Sequence, residues 1–336
     1  MKSVICREPG IIELGQRGEP GQLAEGWVLL DIHYAGLCGT DYHIYEGKHP
    51  FLEYPRVIGH ELSGTISDAN GVDGFKAGDR VVVNPYLACG ACIACRNGKP
   101  NCCEVVQVLG VHRDGGLCER LAVPAANLVP AGDLALRDAA MVEFLAIGAH
   151  AVRRAGLGKG NALVVGAGPI GLGVAVFAWI AGLDVTMADV SAERIEQSRE
   201  ILGGEAGILM GGDDAARQVR RRQPGGFDVV FDATGNSRSI MDGFQHVAHG
   251  GTYVLVSVVK DDITFSDPEF HKREMSLIGS RNATSEDFRH VIASIEAGLV
   301  PLEKLATHET TLEAVPDDLP RWAHDKRGLV KALVRI

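Results

Sequence analysis

The chain has no excess of positive charge. Its 336 residues hold 33 Lys and Arg against 43 Asp and Glu, a formal net charge of −10, and the pI is near 5.6. That balance repels phosphate backbones and anionic headgroups, so neither nucleic acid nor a membrane surface is an expected partner. The basic run Arg217, Arg220, Arg221 and Arg222 reads as a solvated helix face. Residues 1–10 lack a basic segment followed by an apolar stretch. A cytoplasmic protein with reduced thiols is therefore expected. No internal repeat or low-complexity tract stands out. Residues 163–183 carry no ionisable side chain and are long enough to cross a bilayer. A glycine-rich turn at 166–171 divides them, however, into buried strand, tight turn and buried helix.

What is present is a spaced set of thiols. Cys89, Cys92, Cys95 and Cys103 follow a C-x-x-C-x-x-C-x(7)-C pattern in a stretch broken by Gly90, Gly98 and Pro100. Such a stretch buries little apolar surface, and a tetrahedral thiolate cage for a structural zinc explains the spacing better than disulfides or chance. Cys102 competes as fourth ligand, while Cys6 and Cys118 read as core thiols.

A second set mixes its donors. Cys38 in Gly-Leu-Cys-Gly-Thr-Asp and the pair His60-Glu61 offer sulfur, nitrogen and oxygen from two turns. Zinc held that way keeps room for a substrate oxygen, as a catalytic site requires. Glu143, a lone carboxylate in Met-Val-Glu-Phe-Leu, is costly to bury unless it meets a cation or metal. It is a fourth ligand, a holder of the metal's water, or a helix N-terminal acid. Asp41 is expected to hold the far nitrogen of His60. Thr40 and His43 offer a hydroxyl and an imidazole to carry a proton to solvent, although His43 taken alone reads as a surface residue.

The chain is long enough for two domains, and 46% hydrophobic with 23% charged residues fits a soluble globular enzyme. Short strands at 27–33, 63–66, 80–83 and 121–123 predict a compact all-β unit. From about 148 the pattern alternates strands at 162–165, 184–188, 229–232, 252–256 and 276–278 with helices at 170–181, 192–202, 214–222 and 239–247. That grammar predicts an α/β, doubly wound parallel sheet. A last helix at 285–297 starts on the capping pair Thr284 and Asp287 and stops at Gly298. The expected organisation is 1–148 as a catalytic domain with the cysteine lobe at 89–103, 149–283 as a nucleotide domain, and 284–336 returning to the first.

Gly166-Ala167-Gly168-Pro169-Ile170-Gly171 satisfies G-x-G-x-x-G directly after an expected strand. Gly168 permits close backbone approach to a pyrophosphate at a helix N-terminus. Asp189 stands eighteen residues beyond Gly171, where a carboxylate accepts both adenosine ribose hydroxyls and repels a 2′-phosphate. NAD is therefore expected over NADP. Arg194 stacks over adenine or pairs in solvent.

The order of catalytic Cys, Gly-His-Glu, four-cysteine lobe and G-x-G-x-x-G resembles the zinc-dependent medium-chain alcohol dehydrogenases across essentially the whole chain. Cys38, His60, Glu61 and Glu143 look like the polyol branch. Finer runs at 101–104, 109–116, 265–272 and 279–284 look like its sugar-acid members, which oxidise L-galactonate or L-gulonate at C5 to a ketone with NAD. The resemblance implies a GroES-like β-barrel, a Rossmann sheet, one catalytic and one structural zinc per subunit, and a homodimer or homotetramer built through the nucleotide domain. Phe144, where relatives usually have proline, and Ser257, where they commonly have glycine, depart from the pattern. A carboxylate substrate needs a cation, for which Arg281 is the first candidate and Lys48 and His49 are others; Arg281 clamping the cofactor pyrophosphate is the alternative. Polyol (sorbitol- or xylitol-like) or threonine oxidation, and nucleotide sensing without turnover, are the rival functions.

Overall fold

The computed structural model describes residues 1–49, 52–203, 207–212 and 214–336. Two compact units emerge: Met1–Phe144 with Ala283–Gly298 and Leu302–Ile336, and Leu145–Asn282 with Leu299–Pro301.

The first unit is organised by one long strand, Trp27–Leu37. Val28, Leu30 and Ile32 alternate inward along it, the period-2 pattern of a half-buried strand. The sheet order is Leu128–Pro130, Arg80–Val83, Glu61–Asp68, Trp27–Leu37, Lys331–Arg335 and Ala306–Thr311, with Arg120–Pro124 also paired to Trp27–Leu37. All pairs are antiparallel except Ala306–Thr311 with Lys331–Arg335. The C-terminal strand thus lies in register with residues 34–37. Leu62, Ile66, Val81, Val83, Ala332 and Val334 complete the core.

The strand Trp27–Leu37 runs four residues beyond the expected 27–33, because residues 34–37 pair with Lys331–Arg335 on one side and residues 34–36 with Glu61–Asp68 on the other. Elements of this unit that went unread include the three-stranded sheet of Ile11–Gln16, Lys2–Glu8 and Arg56–Val57, the short pair Tyr86–Leu87 with Gln107–Val108, and the strands Leu128–Pro130, Ala306–Thr311 and Lys331–Arg335. The helix Ser285–Glu296 starts on the expected Thr284/Asp287 capping box and buries Phe288, Val291 and Ile292.

In the second unit six parallel strands run in the order Ile208–Leu209, Leu183–Asp189, Gly160–Val165, Phe227–Asp232, Val247–Leu255 and Ser276–Gly279. Read in sequence this is 3-2-1-4-5-6, the doubly wound order. Ala162, Leu163, Val164 and Val165 are all buried, as strands covered on both faces must be. Helices Pro169–Ile180, Ala192–Leu202, Ala215–Arg222 and Ser237–Gly243 fill the connections. The fourth helix and fifth strand differ from expectation. The helix ends at Gly243, where a Cβ would come within 2.1 Å of the Tyr253 hydroxyl, and the strand already begins at Val247. The strand passes through Gly250 and Gly251 with a register irregularity against Phe227–Asp232. No helix among the described residues is long and apolar enough to cross a membrane.

Candidate metal and nucleotide sites

Cys89, Cys92, Cys95 and Cys103 bring their sulfurs within 4.8 Å of one another. Measured pairs are 3.4 Å for Cys92 to Cys95 and 4.0 Å for Cys89 to Cys95. Four thiolates about 2.3 Å from a tetrahedral zinc would stand about 3.8 Å apart. The lobe fits that ion. Backbone N–H groups point inward: those of Ala91 and Cys92 donate to Cys89 Sγ at 3.4 and 3.3 Å, and that of Cys89 to Cys103 Sγ at 3.3 Å. Donors of this kind, from Glu104 and Cys95, pull the Cys92 thiol down to about 6. Desolvation and the neighbouring thiol of Cys92 push Cys95 up to about 12. Cys102 is exposed and outside the cluster.

The mixed set forms in the barrel unit. Cys38 follows the strand Trp27–Leu37 and caps the helix Gly39–Tyr45. Fully buried Asp41 accepts hydrogen bonds from the Cys38 N–H at 2.8 Å and the Gly59 N–H at 3.1 Å. It therefore ties together the two turns that carry Cys38 and His60. His60 Nδ1 lies 3.8 Å from Asp41 Oδ1, too far for a hydrogen bond, and is buried with no hydrogen-bond partner among the described residues. The expected direct hold on the imidazole is thus replaced by a hold on the backbone around it, because both carboxylate oxygens serve N–H groups.

The 109–116 turn braces the same place. A Cβ on Gly115 would lie 2.1 Å from the Gly59 carbonyl oxygen. Asp114 accepts the Val57 N–H at 3.1 Å and pairs with Arg17 at 2.8 Å.

Glu61 sits opposite Gly36 in register, and a Cβ on Gly36 would come within 2.0 Å of Glu61 Oε2. Only glycine leaves the carboxylate its place. Both Glu61 oxygens accept hydrogen bonds from Lys331 Nζ, at 2.6 and 2.7 Å, and the ammonium also donates to the Leu37 carbonyl at 3.2 Å. Lys331 is 2% exposed and Glu61 0%. The ammonium lies 4.4 Å from the Phe144 ring centroid, which gives the departure at 144 a physical role as a cation–π floor.

Glu143 occupies the first turn of the helix Val142–Ala155 and is buried. Tyr86 donates its hydroxyl to Glu143 Oε1. Burial, with nearby Glu61, pushes the Glu143 carboxyl up to about 7 against the pull of His60, Tyr86 and Lys331.

Cys38, His60 and Glu61 place one donor atom each within 4.8 Å of the others; Glu143 is not in that group. Burial opposes a charged His60, yet Asp41, Cys38 and Glu143 around it raise its pKa well above the ordinary value. Sulfur, nitrogen and oxygen donors within reach of one point, in a field of buried acids, suit a divalent cation.

Thr40 Oγ1 lies 3.9 Å from Cys38 Sγ, and His43 is exposed in the last turn of the same helix. Lys48 is exposed and pairs with Glu46 at 3.0 Å. His49 is half-buried; desolvation, then His112, His43 and His60, lower its pKa.

In the other unit Gly166 has φ +101 and a Cβ on Gly171 would meet the Gly166 carbonyl oxygen at 1.7 Å, so both glycines shape the turn itself. A Cβ on Gly168 would meet nothing within 4 Å. Pro169 and Ile170 begin the helix Pro169–Ile180 behind it. Asp189, at the end of its strand, accepts N–H groups from Ala167 at 2.7 Å and Ser191 at 2.9 Å, with Arg194 at 4.0 Å. Each oxygen retains a lone pair for another donor. Ser257 Oγ accepts the Gly235 N–H at 2.8 Å. Arg281 is exposed just past the strand Ser276–Gly279.

Sequence reading missed Lys331 and Tyr86. A signal existed for the first, since a lone lysine within Leu-Val-Lys-Ala-Leu-Val is costly to bury without an acid.

Residues 24–133 match the family described as alcohol dehydrogenase GroES-like domain, and residues 169–297 that described as zinc-binding dehydrogenase. The chain is 40% identical to L-galactonate-5-dehydrogenase of Escherichia coli K12, covering 99% of this chain and 98% of that protein. It is 33% identical to 2-dehydro-3-deoxy-L-galactonate 5-dehydrogenase of Pseudoalteromonas atlantica, covering 92% and 91%. Among solved structures, an alcohol dehydrogenase of Escherichia coli CFT073 in complex with NADH superposes with a TM-score of 0.92 at 30% identity, covering 100% and 99%. With both domain types in order, the mixed donor set and the four-thiol lobe, the chain belongs to the zinc-dependent medium-chain alcohol dehydrogenases.

Proposed function

We propose that the chain oxidises a secondary hydroxyl of a sugar acid, L-galactonate or L-gulonate at C5, to a ketone, with hydride passing to NAD. One observation carries the reading: Cys38, His60 and Glu61 present three different donors within 4.8 Å on a chain 40% identical over its length to a dehydrogenase of such an acid. Zinc, when bound by these three residues, supplies Lewis acidity toward the hydroxyl oxygen. A second zinc belongs to the four-cysteine lobe. Residues 1–148 and 284–336 form the catalytic part and 149–283 the NAD part.

Thr40 receives the hydroxyl proton and His43 carries it to solvent. His43 must be neutral to accept it. Partial desolvation of the ring, Lys326 and Lys48 hold its pKa below the ordinary value, against Glu46. The expected kcat profile therefore rises as His43 loses its proton, with its midpoint on the acid side of an ordinary histidine. Lys326→Ala removes a positive neighbour and should move that inflection to higher pH; an unmoved inflection excludes His43 as the titrating group.

Asp189 selects NAD by its free lone pairs. Asp189→Ser should weaken NAD binding roughly 10- to 100-fold, the worth of hydrogen bonds to a charged acceptor, and admit NADP. Equal use of NADP by the parent protein would refute the assignment.

Arg281 binds the substrate carboxylate, with Lys48 and His49 as further cations. Screening sugar acids, polyols and threonine for NADH formation tests the function directly. Arg281→Ala should lower kcat/KM on sugar acids about tenfold or more while sparing neutral polyols. Equal losses on both, with weaker NAD binding, would move Arg281 to the pyrophosphate.

The assembly is a homodimer or homotetramer joined at the nucleotide unit, where Ser276–Gly279 ends the six-stranded sheet and leaves Leu277 39% exposed. All eight cysteines are free thiols, as suits the cytoplasm.

A further inference from the structure

We infer that Tyr86 is a positioning residue that holds Glu143 back from the Cys38, His60 and Glu61 donors, and so keeps one metal position open for substrate. The inference rests on the metal reading of those three residues.

Three buried carboxyl groups, Asp41, Glu61 and Glu143, and the half-buried thiol of Cys38 crowd one region. The Glu143 carboxylate is buried beside the donors, as its interactions with His60 and Glu61 show, yet it stands outside the group whose donor atoms lie within 4.8 Å. What restrains it is on the short strand Tyr86–Leu87. The Tyr86 hydroxyl donates to Glu143 Oε1, and Tyr86, 8% exposed, has little freedom to follow a moving partner.

Its backbone is fixed on both sides. The Tyr86 N–H donates to Asn84 Oδ1 at 3.1 Å, and Asn127 Nδ2 donates to the carbonyls of Asn84 and Tyr86 at 2.9 and 3.1 Å. Tyr86 also pairs with Val108 across the short sheet, and the Leu109 N–H donates to the Pro85 carbonyl at 3.1 Å. A phenol held by that many contacts acts as a fixed donor, and a fixed donor decides where a mobile carboxylate points.

The alternative, that Tyr86 merely fills the core, differs in one respect. A filler has no use for its oxygen, so removing the oxygen alone discriminates between the two.

The experiment replaces zinc by Co(II) in the full chain and records the visible absorption of the mixed-donor site, with the lobe's thiolate bands as a constant background. Tyr86→Phe should release Glu143 onto the metal, weaken the d–d bands as coordination rises from four to five, and raise KM about tenfold more than it lowers kcat. Tyr86→Phe combined with Glu143→Gln should restore the parent spectrum. Glu143→Gln alone should leave that spectrum unchanged, a readout that does not depend on the Tyr86 variant folding. A Tyr86→Phe spectrum that superposes on the parent overturns the inference. So does a Glu143→Gln spectrum that departs from it, since Glu143 would then be a ligand with Tyr86 in place. Uptake of only one cobalt per chain, insensitive to Cys38→Ser, would overturn the metal reading itself and is distinguishable from both.

Discussion

Lys331→Met lowers the stability of the protein by about 3–5 kcal/mol, the cost of leaving a buried carboxylate without its cation. The melting temperature falls by roughly 6–20 °C. The expectation follows from geometry: Lys331 Nζ holds both Glu61 oxygens at 2.6 and 2.7 Å with neither residue exposed. Methionine keeps nearly the same volume, so lost packing contributes little. Adding Glu61→Gln to the lysine variant removes the stranded charge and should recover most of the loss, and the cycle isolates the pair's coupling. A single variant as stable as its parent would mean the ammonium does not hold Glu61.

Cys38→Ser reduces turnover by about a thousandfold or more, because Lewis acidity worth several kcal/mol disappears and each 1.36 kcal/mol is tenfold. NADH binding, followed by the rise in nicotinamide fluorescence, should stay near the parent value, since Gly168 and Asp189 stand in the other unit. Metal analysis should find two zinc ions per chain in the parent and one in the variant. Retained turnover in Cys38→Ser would remove the residue from the donor set. A parent with a single zinc confined to the cysteine lobe would favour nucleotide sensing over catalysis.

The features legible in the sequence were those written in short spacings. Four thiols within fifteen residues, a Cys before a helix, His-Glu after a turn and G-x-G-x-x-G after an apolar run each carry their geometry locally. The doubly wound sheet was legible for a related reason, since buried parallel strands read as continuous apolar runs. The exceptions are physical. Ile208–Leu209 is only two residues long, too short for any period to register. Lys331 and Tyr86 meet partners 270 and 57 residues away, and nothing next to them in the chain announces those partners. Asp41 was assigned the right neighbourhood but not the right bonds, because sequence says nothing of which N–H groups a buried carboxylate meets first.

The strand Lys331–Arg335 fills the gap in the sheet beside residues 34–37 and at the same time delivers the ammonium that neutralises Glu61. During synthesis, therefore, the N-terminal two-fifths of the polypeptide emerges from the ribosome with an open sheet edge and a bare acid at its centre. The usual vectorial order, in which the leading domain matures first, is denied to this unit. Closure of the catalytic pocket waits for residues 331–335, so a product terminated before them lacks both the closing strand and the counter-charge.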